Sequence, residues 1–349
     1  MEFVDLTLEH FRCFTQLRIE FAPGLNLLHG DNASGKTSLL EALYWLTHKR
    51  SFRSRRHAQL IQHEHDSALA IAKVRVAQDA ALPLAAKLTR DGATFRYRQV
   101  EPQRSFLQRR FPCVLIEPQR SMDFLRESEQ RRRWLDRLVF HVEHPFLAAW
   151  QNYQRVLAQR NAAIRQQGQN PEIWNEGLVQ CADLVHQYRQ RQWDAVAPRI
   201  HSLLASLAGD RLPHLELSFR PGWDVKQGLS NHLAALRDSE RRMGYTLAGP
   251  HRADIVVRDK RGMAKDWLSR GQTKLLALCF QLALITSLSE AGVEPVLLWD
   301  DWASELSSES MQAALGVVAQ STRQAILSSP GCDWPEGAEK PQVMFHVKH

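Results

Sequence analysis

No two cysteines in this chain stand close enough in sequence to suggest a metal knuckle or a redox pair. The five (Cys13, Cys113, Cys181, Cys279 and Cys332) are scattered over 349 residues without a C-x-x-C spacing. That argues against a zinc site or a disulfide framework and for a reducing compartment. Long apolar runs are also missing. The best, Leu275 to Ile285, is broken by Gln281 and falls short of the ~18 residues a membrane span needs. The opening MEFVDLTLEH carries acids early and lacks a basic-then-apolar leader pattern. These absences predict a cytoplasmic protein with no membrane attachment. No heptad register is sustained, which excludes a long coiled coil. His141 with His144, and His63 to His65, lack a third ligand cluster and read as ordinary histidines.

What is present is ordinary for a soluble globular chain: 44% hydrophobic and 24% charged residues, enough for two or three lobes. The net charge of +7 favours polyanionic partners without requiring one. The ten tryptophans read as packing residues rather than a stacking platform for single strands.

The first forty-five residues read strand, turn, strand, loop, helix, with a turn at Ala22 to Gly24 and a short apolar strand, LNLL, before Gly30. Leu39, Leu40, Leu43 and Leu46 share one face of the following helix. LAIAKVRV and TFRYRQV alternate as strands, with a hairpin turn at Asp91-Gly92, and FPCVLIEP is a buried strand. From about Arg120 the texture becomes helical: one helix over Phe146 to Ile164, a second through Leu178 and Tyr188, and a third, PRIHSLLASLAG, stopping at Gly209. A strand-like LELSF interrupts. After Met243 strand signals return. The order predicts an α/β body split by a helical insertion, divided as 1–118, 119–242 and 243–349.

Gly30-Asp31-Asn32-Ala33-Ser34-Gly35-Lys36-Thr37 matches G-x-x-x-x-G-K-[ST], with an apolar strand before and a helix after. Glycines let backbone N–H groups turn around phosphate oxygens, and the helix start aims its positive end at them. Lys36 reaches the β- and γ-phosphates, Thr37 ligates Mg²⁺, and Ser38 completes the nucleotide-contacting run. A structural glycine turn is the plain alternative. The loop alone separates neither kinase, GTPase nor ATPase.

EPVLLWDDWASELS supplies an acid at the end of a buried strand. Asp300 is placed to hold Mg²⁺, and Asp301 to orient or deprotonate an attacking water; two acids capping a strand end is the bland reading. LSRGQTKLL opens a strongly apolar helix and resembles the signature motif of ATP-binding-cassette ATPases. That resemblance implies that Ser269, Gly271 and Gln272 meet the γ-phosphate of ATP held by a second subunit. Between Gly35 and Ser269 lies more chain than a transporter ATPase needs, and far less than a full SMC coiled coil.

With HFRCF, GDNASGKTSLLEALYWL, RRRWLD, GPHRAD, LSRGQTKLL, WDDWASEL and MFHVKH in this order, the chain resembles the RecF family of SMC-like recombination mediator ATPases. The resemblance implies a P-loop NTPase of the ATP-binding-cassette (SMC-like) head type with a helical insertion lobe. It also implies ATP and Mg²⁺ as cofactors, weak DNA-dependent ATPase activity and an ATP-dependent homodimer on DNA. Its partners would be RecR and other mediators, assisting RecA loading at gaps coated by single-strand-binding protein. Gln119 resembles the water- and metal-contacting glutamine of cassette ATPases, and Arg12 a phosphate-contacting arginine of SMC-like heads; an exposed surface arginine is the alternative there.

Three positions depart from the family pattern. Ala33 replaces a usual glycine, tolerable if its φ is negative. Ser307 replaces an acid, and no histidine follows QAILSS as a γ-phosphate switch.

HKRSFRSRRH, directly after the P-loop helix, carries Lys49, Arg50, Arg53, Arg55 and Arg56 without an acid. It reads as a sequence-tolerant, salt-sensitive DNA contact, with a solvated basic loop as the alternative. RRRWLD reads equally as DNA contact or as internal ion pairs. The rivals to a DNA clamp are an ATPase docked on a membrane transporter and an architectural DNA-binding protein with negligible turnover.

Overall fold

A computed structural model describes every residue except 78, 167–169, 304, 305, 333 and 349. Ser304 and Glu305 of WDDWASEL and the last residue of MFHVKH therefore lie outside the described residues. Two compact units emerge: residues 1–121 with 278–349, and residues 122–277.

The first part of the chain forms β1 (Glu2–Phe11), β2 (Phe14–Glu20), β3 (Gly24–His29), α1 (Lys36–His48), β4 (Ser67–Arg75), β5 (Leu82–Thr89), β6 (Gly92–Tyr97), α2 (Arg104–Arg110), β7 (Cys113–Ile116) and α3 (Pro118–Arg126). Then come α4 (Ser128–Val142), α5 (Phe146–Arg165), α6 (Asn175–Leu203), β8 (Glu216–Arg220), α7 (Leu229–Met243), β9 (Asp254–Asp259), β10 (Gly262–Met263) and α8 (Arg270–Glu290). The chain ends with β11 (Val296–Trp299), α9 (Ser308–Ser321), β12 (Gln324–Ser329) and β13 (Val343–His346).

In the first unit two five-stranded sheets enclose α1. One is antiparallel, in the order β2-β1-β4-β5-β6; the other is wholly parallel, in the order β13-β3-β12-β11-β7. Strands β3, β12, β11 and β7 are buried on both faces along most of their length, so LNLL, VLLW and AILS read as largely apolar runs, whereas the edge strand β13 is half exposed. α1 touches β4 and β5 on one side and β7, β11 and β12 on the other. The four-leucine stripe expected of it understates its burial: every residue from Ser38 to His48 is buried. A helix buried all round belongs to a core, and its few polar residues, Glu41 among them, must find partners there.

Three strands escape the sequence reading, among them the two-residue β10. β2 has only Phe14 and Ile19 buried, and β5 carries Pro83 and small alanines. The hairpin at Arg90-Asp91 joins β5 to β6, so β5 stands between the two strands expected to be neighbours.

The second unit packs α4 to α7 around the antiparallel sheet β10-β9-β8. The second and third expected helices are one, α6, with Pro198 inside it. The lost N–H costs one helical bond, and the apolar face that buries Val185, Val196 and Ile200 carries the helix through.

Residues 243–277, assigned by sequence to the third segment, group here with the helical unit. β8 pairs along its full length with β9, and buried arginines from the helices grip the segment before β9. Arg160 donates to Thr246 Oγ1 at 2.8 Å and pairs with Glu240 at 2.7 Å. Arg131 holds Asp254 through two bonds of 2.8 and 3.0 Å. Arg189 binds Asp136 at 2.7 and 2.9 Å and the Pro250 carbonyl at 2.6 Å. Arg132 reaches the Ala253 carbonyl at 2.7 Å, and Arg133 pairs with Glu129 on its own helix. RRRWLD is thus an internal brace for GPHRAD.

α8 alone among the described helices is long and apolar enough to cross a membrane, but 67% of that window is buried in the protein, as in a core helix.

Candidate nucleotide site

The site lies at the C-terminal ends of the parallel strands, where ligands gather in such sheets. β3 delivers the P-loop and β11 delivers Asp300, with β12 between them. That strand order dictates the geometry. Ser328, near the end of β12, sits between the two motifs.

Thr37 Oγ1 donates to both oxygens of Asp300, at 3.0 and 3.1 Å. Ser328 Oγ donates to Asp300 Oδ1 at 2.6 Å and accepts from the Asp301 N–H at 2.9 Å. One hydroxyl therefore joins the two acids. Burial pushes the Asp300 carboxyl above its ordinary value; the Ser328 and Thr37 hydrogen bonds oppose that shift, and the neighbouring Asp301 adds to it. Asp301 itself takes a positive φ of 50°, a conformation that costs a non-glycine residue energy and commonly marks a functional position.

Lys36 Nζ donates to the carbonyls of Gly30 and Asp31, at 2.6 and 2.7 Å. Burial lowers its pKa, and Asp300, Asp301 and Asp31 offset part of that. Gly30 and Gly35 have φ of 146° and 103°. A Cβ on Gly35 would meet Phe14 at 2.4 Å and Cys13 at 2.8 Å, so the loop is packed tightly beneath the β1–β2 turn. Ala33 also lies in the left-handed region, at φ 68°. The expected negative φ is not what the backbone adopts, because the loop must turn its N–H groups inward there. The cost is roughly 1–2 kcal/mol.

The donor set fits a nucleotide with a hard divalent cation. The Thr37 hydroxyl and Asp300 carboxylate are oxygen ligands already in contact, as Mg²⁺ requires. Ser34 Oγ is buried in the loop without a hydrogen-bond partner, as a phosphate-binding hydroxyl would be. A cleft of about 990 Å³ brings together Arg12, Asn32, Ala33, Gly35, Lys36, Thr37, Ser38, Arg53, Gln119, Asp300 and Asp301, with Ser328. Gly30, Asp31 and Ser34 complete the loop. The β13 tail runs parallel to β3 with His346 stacked on His29, and burial lowers the His29 pKa, helped by His346 and Lys36.

The profile of the family described as "RecF/RecN/SMC N terminal domain" matches residues 3–349. A curated relative, "DNA replication and repair protein RecF" from Pseudoalteromonas translucida, is 32% identical over all of this chain and 98% of its own length. The chain belongs to the RecF family. Its fold is that of RecF and of SMC heads. The solved "recombination mediator protein RecF-ATPrS in RecFOR pathway" superposes with a TM-score of 0.82 at 22% identity, covering 99% of this chain and 96% of that one. The Smc head domain from Pyrococcus furiosus does so at 0.57 and 14% identity, covering 94% and 89%.

In this RecF-family chain Arg12 is not an exposed arginine and lines the nucleotide cleft. It pairs with Glu41 through two bonds of 2.7 and 2.8 Å. The basic loop is also divided by its contacts. Lys49 pairs with Glu101 at 3.2 Å and lies over Phe95, and Arg50 reaches Tyr44. Arg53 lines the nucleotide cleft; Arg55 and Arg56 are exposed.

On the other unit, Ser269 and Gln272 cap α8 reciprocally. The Ser269 N–H donates to Gln272 Oε1 at 3.0 Å, and the Gln272 N–H to Ser269 Oγ at 3.3 Å. This is a capping box, held further by Gln272 Nε2 on the Arg211 carbonyl at 2.7 Å. Gly271 lies within that first turn. Ser307 N-caps α9 by accepting from the Ser310 N–H, a local duty that an acid would also perform.

Two residues escaped sequence reasoning. Ser328 was visible only as part of the strand QAILSS, and Glu41 only as a lone acid in an apolar helix.

Proposed function

We propose that the chain is an ATP-dependent DNA-binding clamp of replication and recombinational repair. The observation that carries this is the Thr37–Asp300–Ser328–Asp301 constellation beside Lys36. It unites a phosphate loop, a cation-binding pair and a placed acid in one cleft. The names of the RecF relatives support the cellular role, and five cysteines outside any disulfide support a cytoplasmic setting.

In this reading the γ-phosphate draws Lys36 from the Gly30 and Asp31 carbonyls. Thr37 and Asp300 would hold Mg²⁺, which would supply positive charge to offset that of the phosphates. Asp301 orients the attacking water and accepts its proton, and Gln119 assists at the cleft wall. Ser269, Gly271 and Gln272 of a second copy cap the γ-phosphate with the start of α8, a helix end suited to an anion. Closing two copies over ATP grips DNA through Lys49, Arg50, Arg53, Arg55 and Arg56, and weak hydrolysis releases it. RecR and the recombinase are the partners that family membership suggests.

ATPase measurement with and without duplex or gapped DNA tests this. Stimulation by DNA is expected; activity indifferent to DNA favours a transport-coupled ATPase, and negligible turnover an architectural role. Ser269→Arg should abolish ATP-induced dimers in sedimentation while nucleotide still binds.

A further inference from the structure

A fully buried acid stands one turn beyond Thr37 on α1. Glu41 has no solvent exposure, in a helix otherwise suited to an apolar core, and a buried carboxylate is tolerated only when paired. Its partners come from two directions. Arg12, on the β1–β2 turn, grips it with two bonds and donates a third to the Gln59 carbonyl at 2.8 Å. Arg53 Nη1 stands 3.8 Å from Glu41 Oε2. Both arginines line the nucleotide cleft with Lys36 and Thr37. A guanidinium has five donors, so Arg12 retains two beyond these contacts for an anionic oxygen.

The remaining partner is Ser51. Its hydroxyl donates to Glu41 Oε1 and accepts from the N–H groups of Arg53 and Ser54, each at 2.9 Å. Ser54 continues the chain of bonds: its hydroxyl accepts from the Arg56 N–H at 3.0 Å and donates to Gln59. One carboxylate thus anchors, on one side, the two cleft arginines and, on the other, the turn that presents exposed Arg55 and Arg56.

We propose that Glu41 is a positioning residue that holds Arg12 and Arg53 toward the nucleotide phosphates and, through Ser51, makes the basic loop sense nucleotide occupancy. This rests on the ATP reading above. An incoming γ-phosphate competes with Glu41 for the guanidiniums. Any shift of Arg12 or Arg53 alters the charge that Glu41 offers Ser51, and Ser51 holds the loop backbone directly. The coupling needs no movement of a helix, only redistribution among hydrogen bonds that share one carboxylate.

The test uses the full chain, a fluorescent ATP analogue for affinity, and the rate of trypsin cleavage after Arg55 and Arg56 with and without ATPγS. In the native chain, nucleotide should change loop cleavage several-fold. Ser51→Ala leaves the Arg12–Glu41 pair intact. Its nucleotide affinity should stay within about 2-fold while loop cleavage stops responding to ATPγS, since it removes one hydroxyl outside the cleft. Glu41→Gln should lose the response and also bind nucleotide about 10-fold more weakly, the scale of one charged hydrogen bond. Loop cleavage that responds equally in the native chain and Ser51→Ala overturns the proposal, as does a native loop indifferent to nucleotide that demonstrably binds. If the native chain binds no analogue at all, the ATP reading itself fails, and with it this one.

Discussion

At the scale of single residues, two positions carry strain or linkage that can be read directly. Ala33 holds φ 68° in a loop that glycine would enter freely. Ala33→Gly should therefore raise stability by about 1 kcal/mol, measured as a higher denaturant midpoint with an unchanged slope. Ser328 joins Asp300 to the Asp301 backbone through one hydroxyl. Ser328→Ala should slow hydrolysis about 10-fold, as expected for losing a hydrogen bond to a charged group, with nucleotide affinity nearly unchanged. Ser328→Thr, which keeps the hydroxyl, should restore most of the rate. Neither effect was legible in the sequence. A positive φ at alanine shows only in the folded backbone, and a serine bridging the Asp300 carboxylate and the Asp301 N–H exists only once strands far apart in the chain are laid side by side.

At the scale of elements, Arg131 and Arg132 of RRRWLD make the internal contacts that the sequence left level with DNA contact. Arg189, on α6, is almost wholly buried and holds Asp136 of α4, the Pro250 carbonyl and the face of Trp150. Arg189→Met strands the Asp136 carboxylate and should cost roughly 3–5 kcal/mol, whereas Arg189→Met with Asp136→Leu should recover most of that. Urea unfolding of the two variants separates these outcomes. The inner strands of the parallel sheet were plain in the sequence because burial on both faces makes nearly continuous apolar runs. β2 and β5 were not, since one exposed face and small side chains leave no strong alternation. The proline in α6 misled for a related reason: tertiary burial of its apolar face outweighs one missing hydrogen bond.

At the scale of the whole molecule, stability depends on His251. It is buried in its neutral form. Nε2–H donates to the Thr246 carbonyl at 3.0 Å and Nδ1 accepts from the Tyr153 hydroxyl at 2.5 Å. Burial lowers its pKa from 6.5 to about 4; the Thr246 bond opposes this, and Arg252, Arg132 and Arg189 lower it further. A folded pKa below the unfolded one stabilises the fold above pH 6.5, and that contribution is lost as pH falls through about 4. On the order of 3 kcal/mol is at stake. Unfolding midpoints should fall across that window, and His251→Gln should flatten the dependence.

The amino-acid sequence by itself determined the phosphate loop, the paired acids and the polar start of α8. In each, the chemistry is written in adjacent residues whose spacing alone sets which groups share a turn or a strand end. Only the tertiary structure decided how these parts are joined. The order β3-β12-β11 inserts Ser328 between loop and acid. The enclosure of α1 between two sheets forces Glu41 to find Arg12, Arg53 and Ser51. Such contacts depend on strand order and burial, which no local pattern encodes.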